Sequence, residues 1–593
     1  MITVDTQNIM YLRLWNSLNY PIFVYDMKKL LFLLFILPQL VQAQNFTEPD
    51  YPQDYFTSPV HIPILLAGNY GELRPAHFHE GMDIKTRGVI GYRVYAAANG
   101  YISRIKVHNT GFGHAIYITH PNGYTTVYGH LHSFAPEVAA YVKKQQYKQE
   151  SWSIDLHPDS SMFPVKQGQK IALSGATGSV AGPHVHFEIR DTKTEHPLNE
   201  QLFGFDVKDN IAPSVYRIAL YDRNRSIYEQ PPLKLLLHDK GTYYSPNKNL
   251  ITVHANQLGI GVQTIDHQNN TNNTYGVYRA ILYVDGVAQN GFQLDNIGYQ
   301  KTSYVDAHYD YKSYMESGRH FSLLFELPGN KLPIYYDFNG NGTIDLSDGK
   351  VHNIKVIVTD ASGNSSTIKL KVKQEGNSYP REECSQRMKP EQRNIFYNDK
   401  VQFFLKPGSI YDDICFQYKD IPTSYSKYYS YIVRLHYDYV PLQKEFPLRL
   451  KPDKVIPENL KDNLVFVCND ASGDRLDVTP AKLVKGWVQA MVGSFGDYSI
   501  QVDTKAPNIS AINIKDGANL SAAKNIKFRI SDSKSGIASY RAELDGKWLR
   551  FARDGSTIFY NFDEHCTTGN HTLKLTVTDA VGNKTIKTYH FKR

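Results

Sequence analysis

Near residue 184 the chain reads His184-Val185-His186-Phe187-Glu188-Ile189, and this alternation constrains it more than any other stretch. Apolar β-branched or aromatic side chains on every second position have the period of a half-buried strand, not the 3.6-residue period of a helix. Residues two apart on a strand share a face, so His184 and His186 point the same way. Two imidazoles so placed reach one metal site, where one can ligate while the other stays free to move protons. Two further clusters lie upstream, His77-Phe78-His79-Glu80-Gly81-Met82-Asp83 and Tyr128-Gly129-His130-Leu131. Gly81 argues against a regular helix, so His79 and Asp83 are expected to reach a metal from a turn. A zinc ion that activates water takes three protein ligands and keeps one position open, with imidazole and carboxylate as usual donors. No cysteine falls between residues 79 and 190, which excludes a thiolate site there. Spacing alone leaves rivals open, because His77/His79 and His130/His132 are also His-x-His pairs.

In this order the clusters resemble the lysostaphin/LytM-type zinc endopeptidases, which cut peptide cross-links in bacterial cell walls. That pattern is His-x-x-x-Asp, a Gly-His-Leu-like segment, then His-x-His, and the small residues of 173–179 match the approach to the last motif. The resemblance covers about a quarter of the chain. It implies a small antiparallel β core of the duplicated hybrid-motif kind with the site in a groove. Carried over residue by residue, it implies Zn2+ held by His79, Asp83 and His186. His130 and His184 are then the non-ligand histidines that handle protons and stabilise the transition state. The implied substrate is the peptide stems of peptidoglycan, hydrolysed by metal-activated water. A rival from another class is a non-hydrolytic peptidoglycan-binding or regulatory protein of the same fold; the intact motifs weigh against it. A zinc peptidase of secreted proteins would share the mechanism and change the substrate. His77, His108, His114, His120, His132 and His157 are expected to be surface or supporting histidines.

At 593 residues the chain exceeds a single core, and about three to five domains are expected. The fold class expected is mainly β: an N-terminal antiparallel β-sheet zinc peptidase followed by several β-sandwich domains. Tyrosine-rich composition, 43 of 593 residues, suits such modules better than helical bundles. The net charge of +7 is small for this length, and no Lys/Arg run, P-loop or Rossmann glycine pattern occurs, so nucleic acid is not an expected partner.

Lys28 and Lys29 precede an apolar run over 30–37, and Val41-Gln42-Ala43 is a small-x-small cleavage site. Residues 27–43 therefore read as a signal peptide and 1–26 as a stretch upstream of the true start at Met27. The mature chain is expected to be exported, to the periplasm, cell envelope or medium, without an integral membrane span. The run is far shorter than the ~20 apolar residues a span requires. An uncleaved anchor is the alternative, opposed by Pro38 and the Ala43 site.

The peptidase domain is expected over 44–206, with strands near 93–97, 100–105, 114–118 and 125–128. A short helix is expected within 136–147, in an insertion (136–163) read either as a wall of the substrate groove or as surface elaboration. Beyond it, 207–375 and 503–593 share hairpins: 275–280 resembles 535–542, and Val358-Thr359-Asp360-Ala361-Ser362-Gly363-Asn364 resembles Val577-Thr578-Asp579-Ala580-Val581-Gly582-Asn583. Each copy opens alike, at Asp209 to Pro213 and Asp503 to Pro507. Duplicated strand-rich units argue for repeated sandwiches, and they resemble bacterial immunoglobulin-like modules. Residues 376–502 read as a further β-rich domain with strands near 401–405, 464–467 and 496–500. Four cysteines, Cys384, Cys415, Cys468 and Cys566, allow three pairings, and the sequence selects none. Finally, Asp337, Asn339, Asn341, Thr343, Asp345 and Asp348, with Gly342 at the sixth position, match a Ca2+ loop or else form a polar Asn/Gly-rich hairpin.

Overall fold

Period-two sequence becomes sheet almost throughout the computed structural model, which describes residues 48–380, 383–422 and 427–593. The expected leader at 27–43 and the stretch 1–26 lie outside the described residues. Among the described residues no helix is long and apolar enough to cross a membrane.

The first region is built on a nine-stranded sheet. Its path runs from Leu66–Gly68 through Met82–Lys85, His184–Asp191, Tyr124–Gly129, His114–Thr119 and Gly100–Val107 to Ile154–Leu156. A three-stranded sheet of Arg93–Tyr95, Lys170–Ser174 and Leu131–Phe134 packs with it. The antiparallel register matters most at the centre. His186 lies directly opposite Asp83 on one neighbour and opposite Gly129 on the other. Val185, Phe187 and Ile189 project into an apolar core with Met82, Ile84, Ile116 and Tyr128. Burying each such side chain stabilises by ~1.5–3 kcal/mol, which locks the register, since a one-residue slip would turn the histidines into this core.

The strand His184–Asp191 departs from expectation in one respect. It is buried on both faces up to Arg190, rather than on one. Its polar face is covered by Phe112, which stacks on His186 with centroids 4.7 Å apart, and by Tyr299 from beyond residue 206.

Three further pairs of sheets follow. Sheets of five and eight strands occupy 214–374, two of five strands occupy 394–502, and sheets of four and five strands form the C-terminal sandwich. The first and last share an unusual detail. A short strand (Leu250–Val253, or Ala518–Asn519) pairs parallel with the strand after the Asn364 or Asn583 turn. One apolar cluster runs through the first sandwich into the middle module and also takes in Tyr70 and Phe78 from the first region. Conversely, Tyr275 enters the first region's core and its hydroxyl donates to the Leu66 carbonyl. Residues Pro49–Arg593 accordingly form one compact unit.

The helix Pro136–Gln149 begins with proline at its first turn, where the missing N–H costs nothing, and ends on left-handed Glu150. It does not line the groove described below; it faces the last sandwich. Lys143 pairs with Glu564, Gln146 accepts from Arg550, and Tyr147 stacks on His565. The groove-wall expectation for this insertion is thereby corrected: its polar face is spent on another part of the chain. Cys384 and Cys415 form a disulfide, while Cys468 and Cys566 are free and buried.

The Asp337–Asp348 loop gains no support as a calcium site. Asp337, Asn341, Asp345 and Asp348 each accept from a backbone N–H two or three residues on, and none of the three aspartates joins a metal-sized cluster among the described residues. Tyr335–Asp337 and Ile344–Asp345 pair with strands of different sheets, so the loop crosses the sandwich edge. The Ca2+ expectation for Asp337, Asn339, Asn341, Thr343, Asp345 and Asp348 is thus not supported: one side-chain oxygen each of Asp337, Asn341, Asp345 and Asp348 is engaged in a local turn.

Candidate metal centre

Five residues named from the sequence meet at one end of the nine-stranded sheet. Three imidazole nitrogens crowd a single carboxylate oxygen, Asp83 Oδ1: His186 Nδ1 at 2.9 Å, His79 Nε2 at 3.1 Å and His184 Nε2 at 3.3 Å. The last lies off the hydrogen-bond line, so His184 Nε2 is buried without a partner. His79 Nε2 and His186 Nδ1 are 3.2 Å apart. His130 completes the group, its ring centroid 4.8 Å from that of His184. Asp83 with His79 and His186, and Asp83 with His130 and His184, are two sets whose donor atoms lie within 4.8 Å of one another.

The outward contacts of these rings fix what they present inward. His79 Nδ1 faces the Asn69 carbonyl at 2.8 Å, His184 Nδ1 that of Gly182 at 2.9 Å, and His130 Nδ1 that of Thr177 at 2.9 Å. His186 Nε2 faces the Glu188 carboxylate at 2.9 Å. A carbonyl or carboxylate accepts only, so each outer nitrogen carries a proton. That leaves lone pairs at the inner nitrogens of His79, His130 and His184, while His186 Nδ1 lies between the His79 lone pair and the Asp83 carboxylate. A second proton on His186 or a bound cation satisfies that geometry, and two imidazoles with one carboxylate are a donor set suited to zinc.

The electrostatics agree. Burial opposes charge on Asp83, yet His79, His184 and His186 hold its carboxyl well below the ordinary range. Burial likewise opposes a charged His186, but the Asp83 and Glu188 carboxylates lift it to about 10. His130 is pushed down to about 3, first by burial and then by His186 and His184, so it is neutral. His130 also sits in the left-handed region at φ 57°, a conformation uncommon outside glycine and concentrated at functional sites. Asp83 rides on the strand Met82–Lys85 rather than in the expected turn, and Gly81 in the bend before it has a steric role: a Cβ there would lie 2.6 Å from the His186 ring.

Several supporting residues were given no role from the sequence. Glu188 accepts from Arg190 at 2.6 Å and from the Tyr299 hydroxyl at 2.8 Å, and Arg190 donates to Tyr299 at 3.0 Å. Glu188 shares the face of His186 by the period-two rule, which marks it from the sequence; nothing local marks Tyr299. Asn69, whose carbonyl orients His79, exchanges two hydrogen bonds with Gly276 of the first sandwich. Thr302 accepts from the Phe78 N–H. Of the remaining histidines, His77 lines the groove beside the site, His120 is buried on Asn99 and Thr126, and His132 and His157 are exposed. The groove has a volume of about 920 Å³, with Arg74, Lys85 and Arg87 among its lining residues and Asn273 reaching in from the first sandwich.

Residues 77–147, which include His79, Asp83 and His130, match the model of peptidase family M23, and residues 385–503 match a Zu5-like domain. The chain therefore carries a peptidase domain of the M23, lysostaphin/LytM type. It is 36% identical over 111 residues to the peptidoglycan DD-endopeptidase ShyB of Vibrio cholerae, covering 19% of this chain and 20% of that protein. It is 30% identical over 112 residues to the DD-carboxypeptidase/endopeptidase Mpg of Neisseria meningitidis, covering 19% and 20%. A zinc-containing peptidase of Vibrio cholerae of known structure is 27% identical, with 25% of this chain and 37% of that one covered and a TM-score of 0.18. The chain thus spans about a fifth of the length of the curated relatives it matches.

Proposed function

We propose that the protein is an exported zinc metalloendopeptidase that hydrolyses peptide cross-links of bacterial peptidoglycan. What supports it most is the convergence of His79 Nε2, Asp83 Oδ1 and His186 Nδ1 at the floor of an open groove, with His130 and His184 alongside. His79, Asp83 and His186 would hold the ion. Bound there, zinc supplies a lowered water pKa, from about 15.7 toward ~7, and polarises the scissile carbonyl.

The chain's own groups handle the protons. His184 presents its lone pair at Nε2, so it takes the proton of the attacking water and returns it to the leaving amine. His130 is oriented in the same sense by the Thr177 carbonyl. Neutral, it accepts at Nε2; it donates to a developing oxyanion only as the imidazolium. The basic side chains Arg74, Lys85 and Arg87 at the groove suit a peptide that carries free carboxylates. The related peptidoglycan endopeptidases support the same substrate class and a cell-envelope or periplasmic setting.

Purified sacculi incubated with the zinc-loaded protein should release muropeptides whose masses identify the cut bond. His184→Ala should lower the rate by ~10²–10⁴-fold while zinc stays bound. Equal release by both proteins, or binding to sacculi with no release by either, would refute hydrolysis and favour a wall-binding role.

A further inference from the structure

Outside the peptidase site, another group of acids gathers where the linker to the first sandwich leaves the peptidase region. One carboxylate oxygen each of Asp209, Asp266 and Asp360 lies within 4.8 Å of the other two. Asp209 stands in the linker and accepts from the Ile211 N–H. Asp360 is tied into its hairpin by the N–H groups of Ser362 and Asn364 and by the Asn364 side chain. Asp266 is different. It is 5% exposed, and its Oδ1 is buried with no hydrogen-bond partner. No lysine or arginine pairs with any of the three among the described residues.

An unpaired buried carboxylate beside two others is costly, by desolvation and by like-charge repulsion together. The cost is visible in the acid's own affinity for protons: burial, then Asp360 and Asp209, push Asp266 up to about 8. The geometry points to a binding site for one hard divalent cation of the calcium class, held by Asp209, Asp266 and Asp360. Carboxylate oxygens from three separate segments suit the irregular coordination of calcium better than the strict octahedron of magnesium. This site is distinct from the Asp337–Asp348 loop.

Its position gives the cation a task. Asp266 starts the 266–275 loop and is bridged by backbone hydrogen bonds to Tyr275. Within that loop, Gln268 binds the backbone at Ile64 and Leu66, and Asn273 accepts from Lys85 and reaches the groove. A cation at its base would staple the linker (Asp209), the loop (Asp266) and the sandwich hairpin (Asp360). Cation binding there is independent of hydrolysis.

The last sandwich repeats the arrangement with Asp503, Asp532 and Asp579. There Asp579 accepts from Val581 and Asn583 as Asp360 does from its own turn, but the Lys534 ammonium is close enough to interact with Asp503. That triad already has a cation of its own nearby and serves as an internal control.

Titration of the full chain with CaCl2 tests this by calorimetry and by thermal melting. Half-saturation is expected on the order of 10⁻⁴–10⁻³ M, the range of extracellular calcium modules, with a higher melting temperature in calcium. Asp266→Asn keeps the shape and removes the charge. It should lose the calcium response, yet melt no lower than the parent in calcium-free buffer, which separates loss of a ligand from misfolding. Asp532→Asn should retain the response. No heat and no melting shift in the parent protein, or an undiminished response in Asp266→Asn, would overturn the site, whatever the outcome on sacculi.

Discussion

The first and last sandwiches descend from the same sequence pattern but are attached to the peptidase region in opposite ways. The first is fused through apolar contacts and buried polar bonds. Phe78 and Tyr70 sit in its core, Gly276 clamps Asn69, and Tyr299 closes the chain that runs through Glu188 to His186. The last meets the helix Pro136–Gln149 through polar and ring contacts, some exposed, Lys143 with Glu564 and Glu150 with Arg541, and some part-buried, Tyr147 with Asp563 and Gln146 with Arg550. A duplicated unit thus serves once as the outer wall of the His79–Asp83–His186 cluster and once as a clasp. The difference lies in what the surrounding loops bury, not in the strands the two copies share.

This contrast is open to attack at four points. The largest effect should come from Phe78→Ala, which empties a fully buried site between the peptidase region and the first sandwich and should cost ~3–5 kcal/mol. Urea unfolding measures it; a loss no greater than that of a surface substitution would mean the fused interface is not tight. Next, Tyr299→Phe removes one hydroxyl from Glu188 and Arg190. Although Tyr299 as a whole residue is 41% exposed, outer partners of a metal-binding histidine typically matter by ~10–100-fold, so with His186 holding zinc as proposed, zinc affinity or hydrolysis should fall within that range. An unchanged zinc affinity and rate would reduce the first sandwich to a passive neighbour.

Acid should also separate the two copies. Burial pushes His308 down to about 3 and His320 to about 4 in the first sandwich. Both lie below the ~6.5 of an unfolded histidine, so the unfolded chain takes up protons first. Their contribution is full above about 6.5 and is lost as pH falls toward the folded values. In the last sandwich burial opposes charge on His571, but Asp545 raises it, so its contribution is full at low pH and lost as pH rises through the folded value. His352 with Asp285 repeats that clasp in the first sandwich. Burial also pushes Asp266 up to about 8 and Asp306 up to about 6 there. These act against His308 and His320, because the folded chain takes up their protons first as pH falls. With Asp266→Asn removing the main opposing carboxyl, proteolysis mapped by mass spectrometry between about pH 7.5 and about pH 5 should show 207–375 weakening before 503–593. The smallest effect belongs to Lys143→Ala, which breaks an exposed ion pair and should cost only ~0.2–1 kcal/mol. A larger loss would show the clasp to be structural after all.

Much of the centre was legible beforehand because its chemistry is local. His79 and Asp83 are four residues apart, and His184, His186 and Glu188 follow the pleat of one strand. The supporting groups were hidden for the converse reason: Tyr299 is 111 residues from Glu188, and Gly276 is 207 from Asn69. The insertion stayed open between groove wall and surface elaboration because a polar helix face looks the same whether it lines a groove or meets a distant module. The 337–348 loop stayed open between a Ca2+ loop and a polar hairpin because Asx turns and calcium loops draw on the same Asp, Asn and Gly.

Residue type and period, taken alone, determined which side chains are able to bind a metal, that they ride on strands, and that the tail is repetitive and β-rich. Tertiary structure decided that His186 lies across from Asp83, 103 positions earlier, that Cys384 joins Cys415, and that Asp209, Asp266 and Asp360 meet. A pleat is set by each residue's own backbone, whereas a pairing between distant strands is chosen only when the whole apolar core closes, and that choice has no local trace.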